Sequence, residues 1–289
     1  MLGVRCAARG VVRPPLRTTL RLPPRRCCAA ASTLAIDGGA PTVPPESPLP
    51  TIANSSGRSI GAEEQAAVAA TLESGNLAYI TGTQVKEFQR SFGEVYGTSN
   101  TVAVNSGTSA INTALVYLNP EPGDEVLVSP VTDMGTVIAI LQQLCVPVFV
   151  DIDPLTQNMD PGAIEAALSD RTRAICVTHI YGAAADMDPI MEIAERHELF
   201  VVEDCAQALL SYYKGRLCGT IGHVGCFSFQ QSKHITTGDG GMVLANDDMR
   251  YGRALSMCVS HASAAALRLH TFLLTEASRC CTARQRMAA

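Results

Sequence analysis

Four short apolar runs of buried-strand length, alternating with helical patterns, constrain this 289-residue chain more than any other feature. The runs are Glu125–Ser129 (EVLVS), Pro147–Val150 (PVFV), Ala174–His179 (AICVTH) and Leu199–Val202 (LFVV). Helical patterns cover Ser109–Leu118, Gly135–Leu144, Pro161–Leu168 and Asp188–His197. Asp160 is placed to cap the third of these, and Pro189 to open the fourth. Strands without a polar face must be covered on both sides, which predicts an α/β fold with a mainly parallel sheet flanked by helices. Upstream, Ala62–Glu73 and Thr83–Tyr96 read as two amphipathic helices joined by Ser74-Gly75-Asn76. Ligands of such sheets collect at the carboxyl ends of the strands.

Charge and composition remove several function classes. A net charge of −5 gives no basic footprint for nucleic acid and no reason to expect a membrane surface as partner. The longest apolar stretch, Met134–Val150, is broken by Gln142, Gln143 and Pro147, so no membrane span is expected. Eleven cysteines are scattered without a disulfide framework and read as reduced. No metal site is expected from the pairs Cys176/His179 and His223/Cys226; the first lies along an expected strand, where an odd separation sends two side chains to opposite faces. Both ends differ from the body. Residues 1–32 hold seven arginines and no acid, which resembles an organellar transit peptide for mitochondrion or plastid; without that role the chain would be cytoplasmic. The segment 256–289 carries a single acid, Glu276, and reads as an atypical tail.

The candidate chemistry sits at strand ends. Lys233 lies between an apolar run (Phe227-Ser228-Phe229) and the turn Thr236-Thr237-Gly238-Asp239-Gly240-Gly241. An amine set apart from other charges can attack a carbonyl carbon, and a Schiff base with an aldehyde cofactor, pyridoxal phosphate, is the obvious use. A plain loop lysine is the alternative. Asp204 ends an apolar strand and could keep a pyridine nitrogen protonated, with Gln207 reaching the ring oxygen; a helix-capping acid is the alternative. Asn105-Ser106-Gly107-Thr108-Ser109 precedes a helix and suits a phosphate, with Ser228 adding a hydroxyl; a simple Ser/Thr cap is the alternative. His179, at a strand end, and Tyr181 just after it are expected to line the substrate site.

The order of these signals, with the segments LAIDGGA (34–40), VNSGTSAINTA (104–114), GDEVLVSP (123–130), VFVDID (148–153), HIYGAAADMD (179–188), VEDCAQA (202–208) and YKGR (213–216), resembles the DegT/DnrJ/EryC1/StrS family of sugar and cyclitol aminotransferases. The resemblance implies a fold-type I pyridoxal-phosphate transferase large domain over 33–255, with the small C-terminal domain largely missing. It implies a Schiff base on Lys233, a pyridinium partner in Asp204, a ring-oxygen contact from Gln207, and a phosphate held by Ser106, Gly107, Thr108 and Ser228. The implied reaction moves an amino group from glutamate or glutamine to a keto-sugar or keto-cyclitol, in a homodimer. Asp133 occupies the slot after Thr132 where the family places an aromatic ring over the cofactor, so Asp133 is expected beside the cofactor and Met134 as its soft apolar face. A chain lacking the small domain could instead be inactive, binding cofactor weakly or a full-length paralogue.

Overall fold

The structure, a computed structural model, describes residues 60–246 together with positions 35, 39–41 and 43. The arginine-rich leader and the 256–289 tail lie outside the described residues. The chain forms two compact units that part between Gly75 and Asn76. In the first, helix α1 (Ala62–Glu73) opens with the Gly61 N–H donating to the Glu64 carboxylate at 2.6 Å and ends before Gly75, at φ 66°. It buries none of its residues, so the amphipathic face expected there is absent. Its two large apolar side chains, Val68 and Leu72, are each 61% exposed.

Among its described residues, the second unit has nine strands: β1 (Thr101–Val104), β2 (Glu125–Val128), β3 (Val146–Phe149), β4 (Thr172–Thr178), β5 (Phe200–Asp204), β6 (Tyr212–Tyr213), β7 (Arg216–Leu217), β8 (Val224–Ser228) and β9 (Gly241–Ala245). Its helices are α2 (Gln84–Tyr96), α3 (Gly107–Leu118), α4 (Met134–Gln142), α5 (Pro161–Ala167) and α6 (Met187–Arg196). Seven strands form one sheet in the order β1-β9-β8-β5-β4-β2-β3, and β6 and β7 form a separate hairpin. Strands β3, β2, β4, β5 and β8 are mutually parallel; β9 runs antiparallel to both β8 and β1. The four expected strands and the helices beyond Tyr96 fall within a few residues of their expected bounds. Asp160 accepts from the Gly162 N–H at 2.9 Å as the predicted cap of α5, while α6 starts at Met187, two residues before Pro189.

Side chains alternate across the sheet, giving two cores. On one face Val126, Val128, Cys176, Val202 and Cys226 pack against Ala110, Ala114 and Leu115 of α3 and Ala139 and Ile140 of α4. On the other, Leu127, Ile175, Val177 and Val201 meet α2, α5 and α6. An aromatic cluster anchors this second face. Phe92 stacks on Tyr96 with centroids 4.6 Å apart, and meets Phe227 edge-on at 5.0 Å. Phe229 packs at 5.1 Å from Phe88 and 5.7 Å from Phe92.

Phe229 opens the connection from β8 to β9, residues 229–240. Its N–H donates to the Gly240 carbonyl at 2.8 Å, and its carbonyl accepts from Thr237 N–H at 3.0 Å. The loop is closed at its neck and fixed there by a ring with 1% exposure. Phe229→Ala should therefore cost about 3–5 kcal/mol of folding stability. Urea unfolding of parent and variant measures it.

Candidate active site

Sheet register decides which residues meet. β4, β5 and β8 align Thr178, Asp204 and Cys226 in one row, and β1, β9 and β8 align Val104, Gly241 and Ser228 in another. Just beyond these rows lies a cleft of about 360 Å³. One wall is the start of α3. The Ser106 side chain accepts from Ser109 N–H at 3.1 Å, capping the helix. The amides of Gly107 and Thr108, in the first turn, have no intrahelical acceptor, and the helix dipole adds to their positive character. Close approach explains the glycines. A Cβ on Gly107 would stand 2.7 Å from the Ser228 Cβ, and one on Gly241 would stand 2.3 Å from the Ser106 carbonyl oxygen. The phosphate-type turn, the end of β8 and the start of β9 are thus pressed together. At the start of α4, Asp133 accepts from Gly135 N–H at 2.7 Å and faces the same cleft.

Asp204, at the end of β5, is the buried acid of the cleft, only 4% exposed. Its Oδ1 accepts from Ala206 N–H at 3.0 Å, and its Oδ2 accepts from the Thr136 hydroxyl at 2.7 Å. Burial pushes its carboxyl above the usual carboxylate range; the Thr136 and Ala206 hydrogen bonds, foremost among the opposing influences, and the Lys233 charge pull the other way. Lys233 lines the cleft from the 229–240 loop, its N–H donating to the Gln230 carbonyl at 2.9 Å.

Strand alternation sends Glu203, one residue earlier, to the opposite face. It is fully buried. Its Oε1 accepts from Ile221 N–H at 2.7 Å and Gly222 N–H at 2.6 Å, and its Oε2 accepts from Gly219 N–H at 2.7 Å. The fourth donor is His179. Because His179 Nδ1 accepts from Ala185 N–H at 3.1 Å, the proton sits on Nε2, which donates to Glu203 Oε2 at 3.0 Å. Four donors use the carboxylate's acceptor sites. Cys205 completes a group of potential metal ligands here, but the oxygens and imidazole nitrogens are already committed to these hydrogen bonds.

Seven expected site residues share the cleft: Ser106, Gly107, Thr108, Asp133, Asp204, Ser228 and Lys233. Others do not. His179 is enclosed on the Glu203 face, where it hydrogen-bonds that carboxylate, and is not among the residues lining this cleft. Gln207 lies outside the cleft lining; its Oε1 accepts from Tyr181 N–H at 2.9 Å, at the strained φ of 54°. Tyr181 is 72% exposed and also outside the lining, as is Met134, which points no apolar face into the cleft. The sequence reading missed Thr136, Ala206, Gln230 and Asp239.

Residues 58–271 match the model of the DegT/DnrJ/EryC1/StrS aminotransferase family. The chain belongs to this family. The match runs past residue 255 into the segment set apart above on composition. Among relatives, GDP-perosamine synthase of Caulobacter vibrioides is 42% identical over 167 residues, covering 58% of this chain and 45% of that protein. An L-glutamine:2-deoxy-scyllo-inosose aminotransferase of Streptomyces lividus is 42% identical over 165 residues, 57% of this chain and 39% of its own length. The solved structure of an aminotransferase from Psychrobacter cryohalolentis superposes with a TM-score of 0.66 at 40% identity, covering 68% of this chain and 50% of that one. The chain spans about half the length, or less, of the curated relatives it matches. Among the described residues, no helix is long and apolar enough to cross a membrane.

Two outcomes follow from the paired acids. Glu203→Gln turns an acceptor into an N–H donor facing backbone N–H groups, and should cost about 3–5 kcal/mol by chemical denaturation. Asp204→Asn should act in the opposite sense without ligand. A carboxyl raised by burial adds stability below its ordinary range, and that contribution is lost as pH rises through the raised value. Thermal melts across pH should show the Asn variant gaining on the parent as pH rises through that window, and a constant difference would refute the assignment.

Proposed function

We propose that this chain is a pyridoxal-phosphate-dependent aminotransferase that moves an amino group from a small donor, glutamate or glutamine, to a keto-sugar or keto-cyclitol. The observation that carries the reading is one cleft lined by Lys233, the buried Asp204 and the open N-terminus of α3. The residues present fit pyridoxal phosphate. The Gly107 and Thr108 amides with the Ser106 and Ser228 hydroxyls suit its phosphate. Asp204, buried with its charge disfavoured, suits a protonated ring nitrogen, whose positive charge would offset the cost of desolvation. When bound, the cofactor supplies an electron sink and an amino-group carrier.

The chain's own groups do the rest. The Lys233 amine would hold the cofactor at its aldehyde carbon and, once displaced there by the donor's amine, would be free to take and return a proton at the donor's α-carbon. The Asp204 carboxylate would hold a proton on the ring nitrogen. The N-terminus of α3 would hold the phosphate. For the donor and acceptor, the names of the relatives from Streptomyces lividus and Caulobacter vibrioides supply the support. The homodimer is carried over from family resemblance, and an organellar address rests on the composition of residues 1–32.

Incubation with pyridoxal phosphate, borohydride reduction and peptide mass mapping tests the reading. A reduced pyridoxyl group is expected on Lys233, absent from Lys233→Ala, and diminished when glutamate or glutamine is added before the borohydride. Folded protein left unlabelled at Lys233 would sink the proposal.

A further inference from the structure

Asp204 does not stand on one hydroxyl alone. Thr136 Oγ1, which donates to Asp204 Oδ2, lies 3.0 Å from Thr132 Oγ1, and Thr132 Oγ1 lies 2.9 Å from Thr178 Oγ1. The carboxylate sets the direction of this row. A hydroxyl has one proton. Thr136 gives its proton to Asp204, so it accepts from Thr132, and Thr132 accepts from Thr178. Three hydroxyl dipoles therefore line up with their positive ends toward the acid, each polarising the next.

The row joins three elements. Thr136 is 1% exposed in the first turn of α4, Thr132 lies in the turn before it, and Thr178 is 3% exposed at the end of β4, paired in register with Asp204. A threonine in a helix ordinarily returns its hydroxyl to the carbonyl four residues back. Here the residue four back is Thr132, and the bond runs to its side chain while the proton goes to Asp204.

The charged and titratable groups around Asp204 show what the row is for. Lys233, Asp133 and Asp239 line the cleft. Behind it, His179 carries its proton on Nε2 toward Glu203, whose own four donors leave it turned to the other face. The thiols Cys176, Cys205 and Cys226 are pushed up by burial and stay neutral. Burial drives Asp204 toward its neutral form, and the Thr136 hydrogen bond is the foremost influence opposing it.

We propose that Thr136, backed by Thr132 and Thr178, is a positioning residue that keeps Asp204 a carboxylate aimed at the ring nitrogen of pyridoxal phosphate, an inference that rests on the proposed function above. A neutral Asp204 could not hold a proton on that nitrogen.

The test compares the parent with Thr136→Val, Thr136→Ser and Thr132→Val, using pyridoxal phosphate labelled with 15N in the ring. Valine keeps the shape of threonine and removes the donor; serine keeps the donor. Each protein is read by borohydride labelling of Lys233, by the ring 15N chemical shift, and by cofactor affinity. Thr136→Val should still label at Lys233, with the 15N resonance moved toward the neutral-pyridine position and affinity weakened by about tenfold, the scale of one hydrogen bond to a charged group. Thr136→Ser should return both to parent values, and Thr132→Val should give a smaller change of the same sign. A parental 15N shift and affinity in Thr136→Val would overturn the proposal while labelled Lys233 leaves the aminotransferase reading standing. Should Thr136→Val not fold, a parental 15N shift in Thr132→Val overturns it equally. An unlabelled parent overturns both.

Discussion

Two adjacent acids at the end of one strand, turned to opposite faces of the sheet, are the constraint on which the site depends. Glu203 is saturated: four N–H donors from the 219–222 segment and His179 close around it. A buried carboxylate with that many donors costs little to keep, and it ties two segments, 219–222 and the end of β4 at His179, to β5. Asp204 has only two donors, one on each oxygen, and looks into the cleft with acceptor capacity to spare. The alternation of a β-strand thus separates a fastener from a functional group in consecutive residues. Without the fastener, the strand end carrying the functional group would lose its backbone reference.

The reversal of β9 has a comparable consequence for Lys233. Two parallel neighbours would need a crossover of a dozen or more residues, ordinarily a helix, over one face of the sheet. Because β9 runs back against β8, residues 229–240 can turn within the carboxyl edge and keep Lys233 there. The same reversal brings Gly241 against the Ser106 carbonyl and Ser228 against Gly107. Anchoring at Phe229 then transmits the rigidity of the aromatic core to a loop whose other residues are largely exposed. Topology, rather than any single contact, sets the amine beside the helix N-terminus.

The strands at Glu125, Pro147, Ala174 and Leu199 were legible because both of their faces are buried, so each appears as an unbroken apolar run. The strand Gly241–Ala245 was hidden, since it opens on a glycine that closeness to Ser106 demands. Lys233, Asp204 and the Ser106–Thr108 turn were legible from residue type beside a strand or helix end. His179 was not, because its role depends on parity. Thr178 pairs with Asp204, so His179, one residue further, falls on the Glu203 face. No reading of one strand alone supplies that register. Gln207 falls outside the cleft lining for a related reason: three residues past Asp204, its side-chain oxygen is engaged by the Tyr181 amide, a partner distant in sequence. Thr136 looked like any threonine in an apolar helix, and only the fold shows that its hydroxyl ends on an acid.

Electrostatics of the cleft argue for the kind of molecule it takes. Asp204, Asp133 and Asp239 face it with one amine, Lys233, so an anion finds its welcome only at the amides of α3. A cationic or protonated ring nitrogen finds its partner at Asp204, where burial has made an uncompensated carboxylate costly. A ligand satisfying both must be anionic at one end and cationic at the other, with a rigid body between. Simple phosphate would leave Asp204 unpaired, and a simple amine would leave the helix terminus open. The threonine row shows that the acid end is prepared in advance: its hydroxyls already point their protons at the carboxylate before any positive charge arrives. Preorganisation of that kind costs stability in the empty protein and returns it as orientation in the loaded one.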